Sequence, residues 1–173
     1  MLIINCTKAA ADFFSTTKEG KKFSPLKPGL IKTIAYSNNP EKRQWLVHAI
    51  KVKGEDVLVV MDCQTRFSIT LSELKKGDDH SFINVFEEHL TVHVHQMMTA
   101  INADSKAIER SLENYSHQHN SCAFFLCDDK SMQSTINDAA WHFHRKVDES
   151  GHFSTKVDLI SLDFVLNRQL RES

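Results

Sequence analysis

Five side chains, Lys8, Arg66, Lys130, Asn137 and Asp138, fall where elements of structure are expected to begin or end. If those ends converge, they form a mixed-charge pocket. Three cations beside helix N-terminal amides can hold a phosphate or a carboxylate through charge and directed N–H donors. In a plainer arrangement, Arg66 pairs with Asp138 and ties a hairpin tip to a helix, while Asn137 satisfies loop backbone. The plainer arrangement is favoured, because polar residues at element junctions usually have structural duties.

Ten histidines and four cysteines offer the other chemistry. His89 and His93 stand four apart, the helical spacing that lets two imidazoles share a metal. Leu90 occupies the place a catalytic Glu would take, and both rings fall on the arc flanking Phe82 and Phe86, so two boundary histidines are expected. His117, His119, Cys122 and Cys127 form a second set, H-x-H-x2-C-x4-C. A strand through CAFFLC would turn its two thiols to opposite faces, since their separation is odd. Cys63 lies near Arg66 in sequence and could be a low-pKa nucleophile, but an inert buried thiol is the expectation. Asp128 and Asp129 read as turn and helix-dipole residues rather than cation ligands. The chain has no G-x-S-x-G elbow, glycine-rich phosphate loop or dinucleotide fingerprint, and neither a metal nor a resident cofactor is expected.

Charge is divided along the chain. Residues 1–53 carry ten Lys/Arg against three Asp/Glu, a balance of +7, and the remainder carries eleven against nineteen, or −8, summing to the net −1. Most of the basic excess lies at 15–43, where Lys18, Lys21, Lys22, Lys27 and Lys32 alternate with Gly20, Pro25, Pro28 and Gly29. These turn signals predict a loop or arm. With Phe23, Tyr36 and Trp45 among its cations, the arm could follow a nucleic-acid backbone and stack bases. The overall pI of about 6.8 is far from that of a strongly basic nucleic-acid-binding domain. Trp141, about 140° around a helix from Ile136, is a candidate interface anchor.

The elements that must position these residues follow from periodicity. Leu2–Asn5 predicts a short strand and Lys8–Phe14 a weak helix. Trp45–Val52, Val57–Met61 and Phe67–Leu71, separated by turns, predict an antiparallel meander with a buried middle strand. Phe82, Phe86, Leu90, Val94, Met97 and Ile101 make one stripe on a helix of about five turns. Asp104 is expected to cap a second helix, with Ile108, Leu112 and Tyr115 inward. CAFFLC reads as a buried strand. Ser131 is expected to cap a third helix, with Met132, Ile136, Ala140, Phe143 and Val147 inward and Gly151 past its end. Val157–Leu170 reads as either strand or helix. The sum is a single α+β domain over 1–173, with helices on one face of a mostly antiparallel sheet of about five strands.

Three segments, MLIINCTK, VVMDCQTRFSITL and CAFFLCDDKSMQSTIND, resemble a family of small uncharacterised bacterial proteins known only as a domain of unknown function. The resemblance rests on Thr7 and Lys8, on Thr65 and Arg66, and on Asp129, Ser131, Asn137 and Asp138. This chain has Asp62 where the family has Asn, Lys130 for Arg, Ser134 for Gly and Ile136 for Met. The resemblance supplies no activity.

With 41% apolar residues, 25% charged residues and no apolar run near the ~20 residues of a membrane span, the expected location is the cytoplasm. The expected function is a non-enzymatic binding or regulatory module meeting an acidic protein or a nucleic acid through its basic N-terminal region. A homodimer is compatible with this reading. The alternative is an enzyme acting on a phosphorylated or nucleotide-like small molecule, with Arg66 and Lys130 as anion clamps and Asp138 or a histidine as acid/base.

Overall fold

A computed structural model of the chain describes residues 1–30, 43–118, 121–151 and 156–172. In chain order the elements are β1 (Leu2–Cys6), α1 (Lys8–Phe14), β2 (Thr16–Lys18), β3 (Lys21–Phe23), β4 (Leu26–Leu30), β5 (Arg43–Val52), β6 (Glu55–Asp62) and β7 (Ser68–Leu71). There follow α2 (Asp79–Ala100), α3 (Ser105–Gln118), β8 (Cys122–Leu126), α4 (Lys130–Ser150) and α5 (Lys156–Glu172).

The predicted meander is present: β5 pairs antiparallel with β6, and β6 with β7. Lys53 and Gly54 join β5 to β6 with φ of 51° and 86°, the two positive values of a hairpin turn that matches strand twist. The rest of the main sheet departs from expectation. Its order is β4-β8-β1-β5-β6-β7, and β1 pairs parallel with both β5 and β8, while β8 pairs parallel with β4. Three of the five pairings are therefore parallel, and the protein is α+β with a mixed six-stranded sheet rather than a mostly antiparallel one. The reason lies in β1 and β8. Their runs, LIINC and CAFFL, are nearly all apolar, as suits central strands covered on both faces.

Helices accordingly occupy both faces, not one. Leu2, Ile4, Trp45, Val47, Leu58 and Val60 turn toward α1 and α2, where Phe14, Phe82 and Phe86 are buried with Phe124. The alternate residues Leu46, Val59 and Met61 meet Met132, Ile136, Ala139 and Ala140 of α4. Further along, Val52 and Val57 meet Phe143 and Val147 of α4 and Leu159 and Leu166 of α5. Each fully buried Val, Leu, Ile, Met or Phe side chain among these contributes about 1.5–3 kcal/mol relative to exposure.

Two further expectations are corrected, and an alternative left open is decided. Residues 16–30 of the supposed loop form the hairpin β2–β3 and the edge strand β4, while 31–42 lie outside the described residues. The cap of α4 is Asp129, whose carboxylate accepts from the Met132 amide (3.1 Å); Ser131 is already inside the helix. The ambiguous C-terminal stretch is a helix, and it seals the edge of β7. The Ser68 amide donates to Asn167 Oδ1 (2.7 Å), and Asn167 Nδ2 donates back to the Ser68 carbonyl (2.7 Å). The Thr70 amide donates to Asp163 (3.0 and 3.1 Å), as does the Thr70 hydroxyl (2.6 Å). Two side chains thus stand in for a seventh strand. Other expectations hold: Asp104 caps α3 by accepting from the Ala107 amide (2.8 Å), and Gly151 ends α4 in the left-handed conformation. Among the described residues, no helix is long and apolar enough to cross a membrane.

Candidate functional site

The β2–β3 hairpin stands apart from the main sheet as a two-stranded unit. Glu19 and Gly20 turn it with φ of 51° and 76°, and the register sets Thr16 opposite Phe23 and Lys18 opposite Lys21. Opposed residues share a face and successive ones alternate. Lys18, Lys21 and Phe23 therefore occupy one face, with Lys22 on the other. The hairpin from Lys18 to Phe23 is exposed, as is Lys27 just beyond it, and Phe23 keeps 53% of its surface in solvent. Strands this short are marginal alone. A close approach anchors the base of this hairpin: Gly77 sits so near Thr16 that an added Cβ would stand 2.1 Å from its Cγ2. The result is four lysines against the single carboxylate of Glu19, presented with an aromatic ring on a fixed scaffold.

The five side chains of the anticipated pocket do not come together in either of the cavities lined by Arg43, Trp45 and Asp62 or by Asp12, Lys51 and Asp56. Lys8 opens α1 and Lys130 opens α4, both exposed. Asn137 and Asp138 are also exposed, because Ile136, Ala139 and Ala140 take the sheet-facing side of α4. Arg66 is half-buried in the β6–β7 turn at φ 66°. The Asp62 carboxylate holds that turn by accepting from the Thr65 amide (3.0 Å) and hydroxyl (2.5 Å), and the Arg66 amide donates to the Asp62 carbonyl (2.9 Å). The guanidinium reaches α4 at Met132 Sδ, not at Asp138. The hairpin tip is tied to the helix as expected, but through a different partner. Thr7 caps α1 from the Ala10 amide (3.3 Å), and its hydroxyl lies 2.9 Å from His48 Nδ1. Burial lowers the pKa of His48.

Both His89 and His93 are buried, the latter completely, so neither is a boundary residue. His93 Nε2 lies 3.2 Å from Asp163 Oδ2, and its ring packs edge-on against Phe67. Among the described residues, no three His, Cys, Asp or Glu side chains cluster to hold a metal. The His117 side chain and all of His119 lie outside the described residues. Cys122 packs with the α2-face core and Cys127 with the α4-face core, the opposite sides anticipated for them. Burial pushes the Cys63 thiol up to about 12, aided by Asp62, and the neighbouring Arg66 does not reverse this. Burial likewise raises Cys122 to about 12 and raises Cys6 and Cys127. Trp141 is 57% exposed on α4, with the Arg145 guanidinium 5.6 Å from its ring centroid.

Sequence reasoning missed the buried Thr70–Asp163–His93 network. Its signal was there to find: Asp163 lies four residues after Leu159 and three before Leu166, a carboxylate inside an apolar stripe. The desolvated Asp163 carboxyl is raised above its ordinary range despite the donors from His93 and Thr70. No part of either the ring or the carboxylate reaches solvent, so the network belongs to the interior and not to an open site.

A family model described as Domain of unknown function (DUF6933) matches residues 3–173. The chain belongs to that family. No curated protein and no solved structure matches the chain. The DUF6933 description carries no activity.

Proposed function

We propose that the protein is a non-enzymatic binding module whose recognition element is the β2–β3 hairpin, and that its partner is a protein bearing an acidic segment. The observation that carries this reading is the exposed face holding Lys18, Lys21 and Phe23. Lysine ammonium groups offer point charges to carboxylates, and a partly exposed ring offers apolar area beside them. An acidic protein segment is favoured over a nucleic acid by the distribution of charge. A polynucleotide carries charge along its whole length. Beyond the hairpin it would meet a chain whose residues 54–173 sum to −8. A short acidic segment engages the basic element alone. Arg66, Lys130 and Asp138 line neither of the cavities described above, so those cavities lend the alternative enzymatic reading no support.

The test is fluorescence anisotropy of a labelled glutamate-rich peptide containing one aromatic residue, compared with a labelled oligothymidine. Peptide binding should weaken with salt, and Lys18→Ala/Lys21→Ala should reduce it about tenfold or more while thermal stability is unchanged. Tighter oligothymidine binding that depends on the same lysines would reassign the partner to nucleic acid. Peptide binding indifferent to salt and to both substitutions would remove the reading.

A further inference from the structure

The geometry points to a binding site for a free apolar α-amino acid between the β5–β6 ladder and α2, independent of the hairpin. A cavity of about 150 Å³ lies there, with Arg43, Trp45, Asp62 and Thr65 among its polar lining and Leu90, Val94 and Met97 of α2 supplying apolar wall. Trp45 and Asp62 are directly opposed in the ladder, and Arg43 lies two residues from Trp45 on the same strand. Opposed residues share a face with their Cβ atoms about 4.5–5.5 Å apart, and i, i+2 residues share a face too. A cation, an indole donor and a carboxylate are thus presented side by side toward α2.

One lining donor is left unpartnered at this polar end, and a carboxylate oxygen lies beside it. Trp45 is 1% exposed, and its indole N–H has no hydrogen-bond partner among the described residues. Buried donors in native proteins are almost always satisfied, so an acceptor from outside the described chain is indicated. Asp62 is 5% exposed and commits Oδ2 to the Thr65 amide and hydroxyl, so Oδ1 is the carboxylate oxygen not used by that turn. An acceptor is therefore wanted at the Trp45 N–H, and Asp62 Oδ1 stands next to it to receive a donor.

An α-amino acid carries both groups on one carbon. Its carboxylate accepts from the Trp45 N–H and faces the Arg43 guanidinium, which has five donors and can serve more than one partner. Its ammonium donates to Asp62 Oδ1. Its side chain lies against Leu90, Val94 and Met97, where burial of aliphatic surface is favourable. The volume suits leucine or methionine. A lone water would satisfy the indole but would leave the apolar wall without an occupant.

The chain has two tryptophans, so Trp141→Phe leaves Trp45 as the only indole reporter. In that variant, Trp45 emission is followed during titration with L-leucine, L-methionine, 4-methylpentanoate and 3-methylbutylamine. The expected result is a saturable change with both amino acids. The analogues lacking the amine or the carboxylate should bind at least about tenfold more weakly, and Asp62→Asn should lower leucine affinity by a similar factor. Val94→Phe, which fills the cavity from α2 without touching its polar end, should abolish the change and decides the matter if Asp62→Asn is poorly folded. Absence of a response to any of the four compounds at millimolar concentration would overturn the inference. So would binding indifferent to Val94→Phe.

Discussion

Asp163→Ala tests whether the C-terminal helix holds the sheet edge through its buried polar side chains. In the wild type, the Asp163 carboxylate receives the Thr70 amide, the Thr70 hydroxyl (2.6 Å) and a contact with His93 Nε2 (3.2 Å), all inside the protein. Truncation leaves three buried donors without that acceptor. Each costs about 1–3 kcal/mol when fully unsatisfied. Relaxation and water entry reduce the sum, so the expected loss is about 3–5 kcal/mol, as for other broken buried pairs. Against a total stability on the order of 5–15 kcal/mol, that loss is large, and the melting temperature should fall by about 10 °C. Urea unfolding followed by far-UV circular dichroism at pH 7 measures it. A double-mutant cycle with His93→Leu should show coupling, because the two residues share a contact. The pH dependence has a definite sign. Burial raises the Asp163 pKa in the folded state, so between the unfolded value near 3.8 and that raised value the native protein binds more protons. This group's contribution to stability therefore improves as pH falls through the window, and Asp163→Asn should remove that component. A loss below about 1 kcal/mol for Asp163→Ala, with no coupling to His93, would refute the reasoning.

Three further outcomes are expected. Burial raises the pKa of Cys6 and Cys63, so at pH 8 both should react with Ellman's reagent at least about 100-fold more slowly than in the urea-unfolded chain. Fast native labelling of Cys63, located by peptide mapping, would contradict this. Burial lowers the folded-state pKa of His48, so stability should rise with pH between that value and the unfolded value near 6.5; His48→Gln should flatten the slope, and an unchanged slope would count against the assignment. Gly77→Ala forces a methyl toward Thr16 at φ +79°, for an expected cost of about 1–3 kcal/mol in thermal melts. Thr16→Ala should recover the steric share and leave the conformational one, whereas equal stability of Gly77→Ala and wild type would show that the approach is not tight.

Periodicity made much of the fold legible. The meander from β5 to β7 and the stripes of α2 and α4 each carry their own repeat, so the inward residues Phe82, Phe86, Ile136 and Phe143 could be named from spacing alone. Strand direction could not. LIINC and CAFFL are readable as buried strands, but direction and partner depend on the chain between them, and β1 finds both its partners far along the sequence, at β5 and β8. Their continuous apolar character was the clue to central parallel strands, and it outweighs the alternation seen in the meander. Among site residues, Thr65 and Arg66 were correctly placed at a turn. The pairing of Arg66 with Asp138 failed because a residue's helical angle relative to Ile136, not its charge, decides whether it faces the sheet. The Asp163 and Asn167 contacts were hidden for a related reason: their partners are main-chain atoms of Ser68 and Thr70, which no side-chain motif can announce.

The way both sheet edges are closed constrains how a partner can be met. At β7, Asn167 takes both the N–H and the C=O of Ser68, and Asp163 takes the N–H of Thr70, leaving little for an added strand. At the opposite edge, β4 contains Pro28, which has no N–H to offer, and its register with β8 shifts between Leu26 and Leu30. Such devices are how sheets avoid edge-to-edge pairing. Recognition by strand addition to the main sheet is therefore disfavoured at either end. What remains near β4 is the β2–β3 hairpin, whose three-residue strands give an incoming backbone few bonds but whose lysines and Phe23 face solvent. A partner selected there is selected by side-chain charge, so neutralising Lys18 and Lys21 should weaken binding about tenfold or more while leaving the fold intact. Replacing the edge-sealing Asn167 should do the reverse, lowering stability while leaving salt-dependent affinity unchanged.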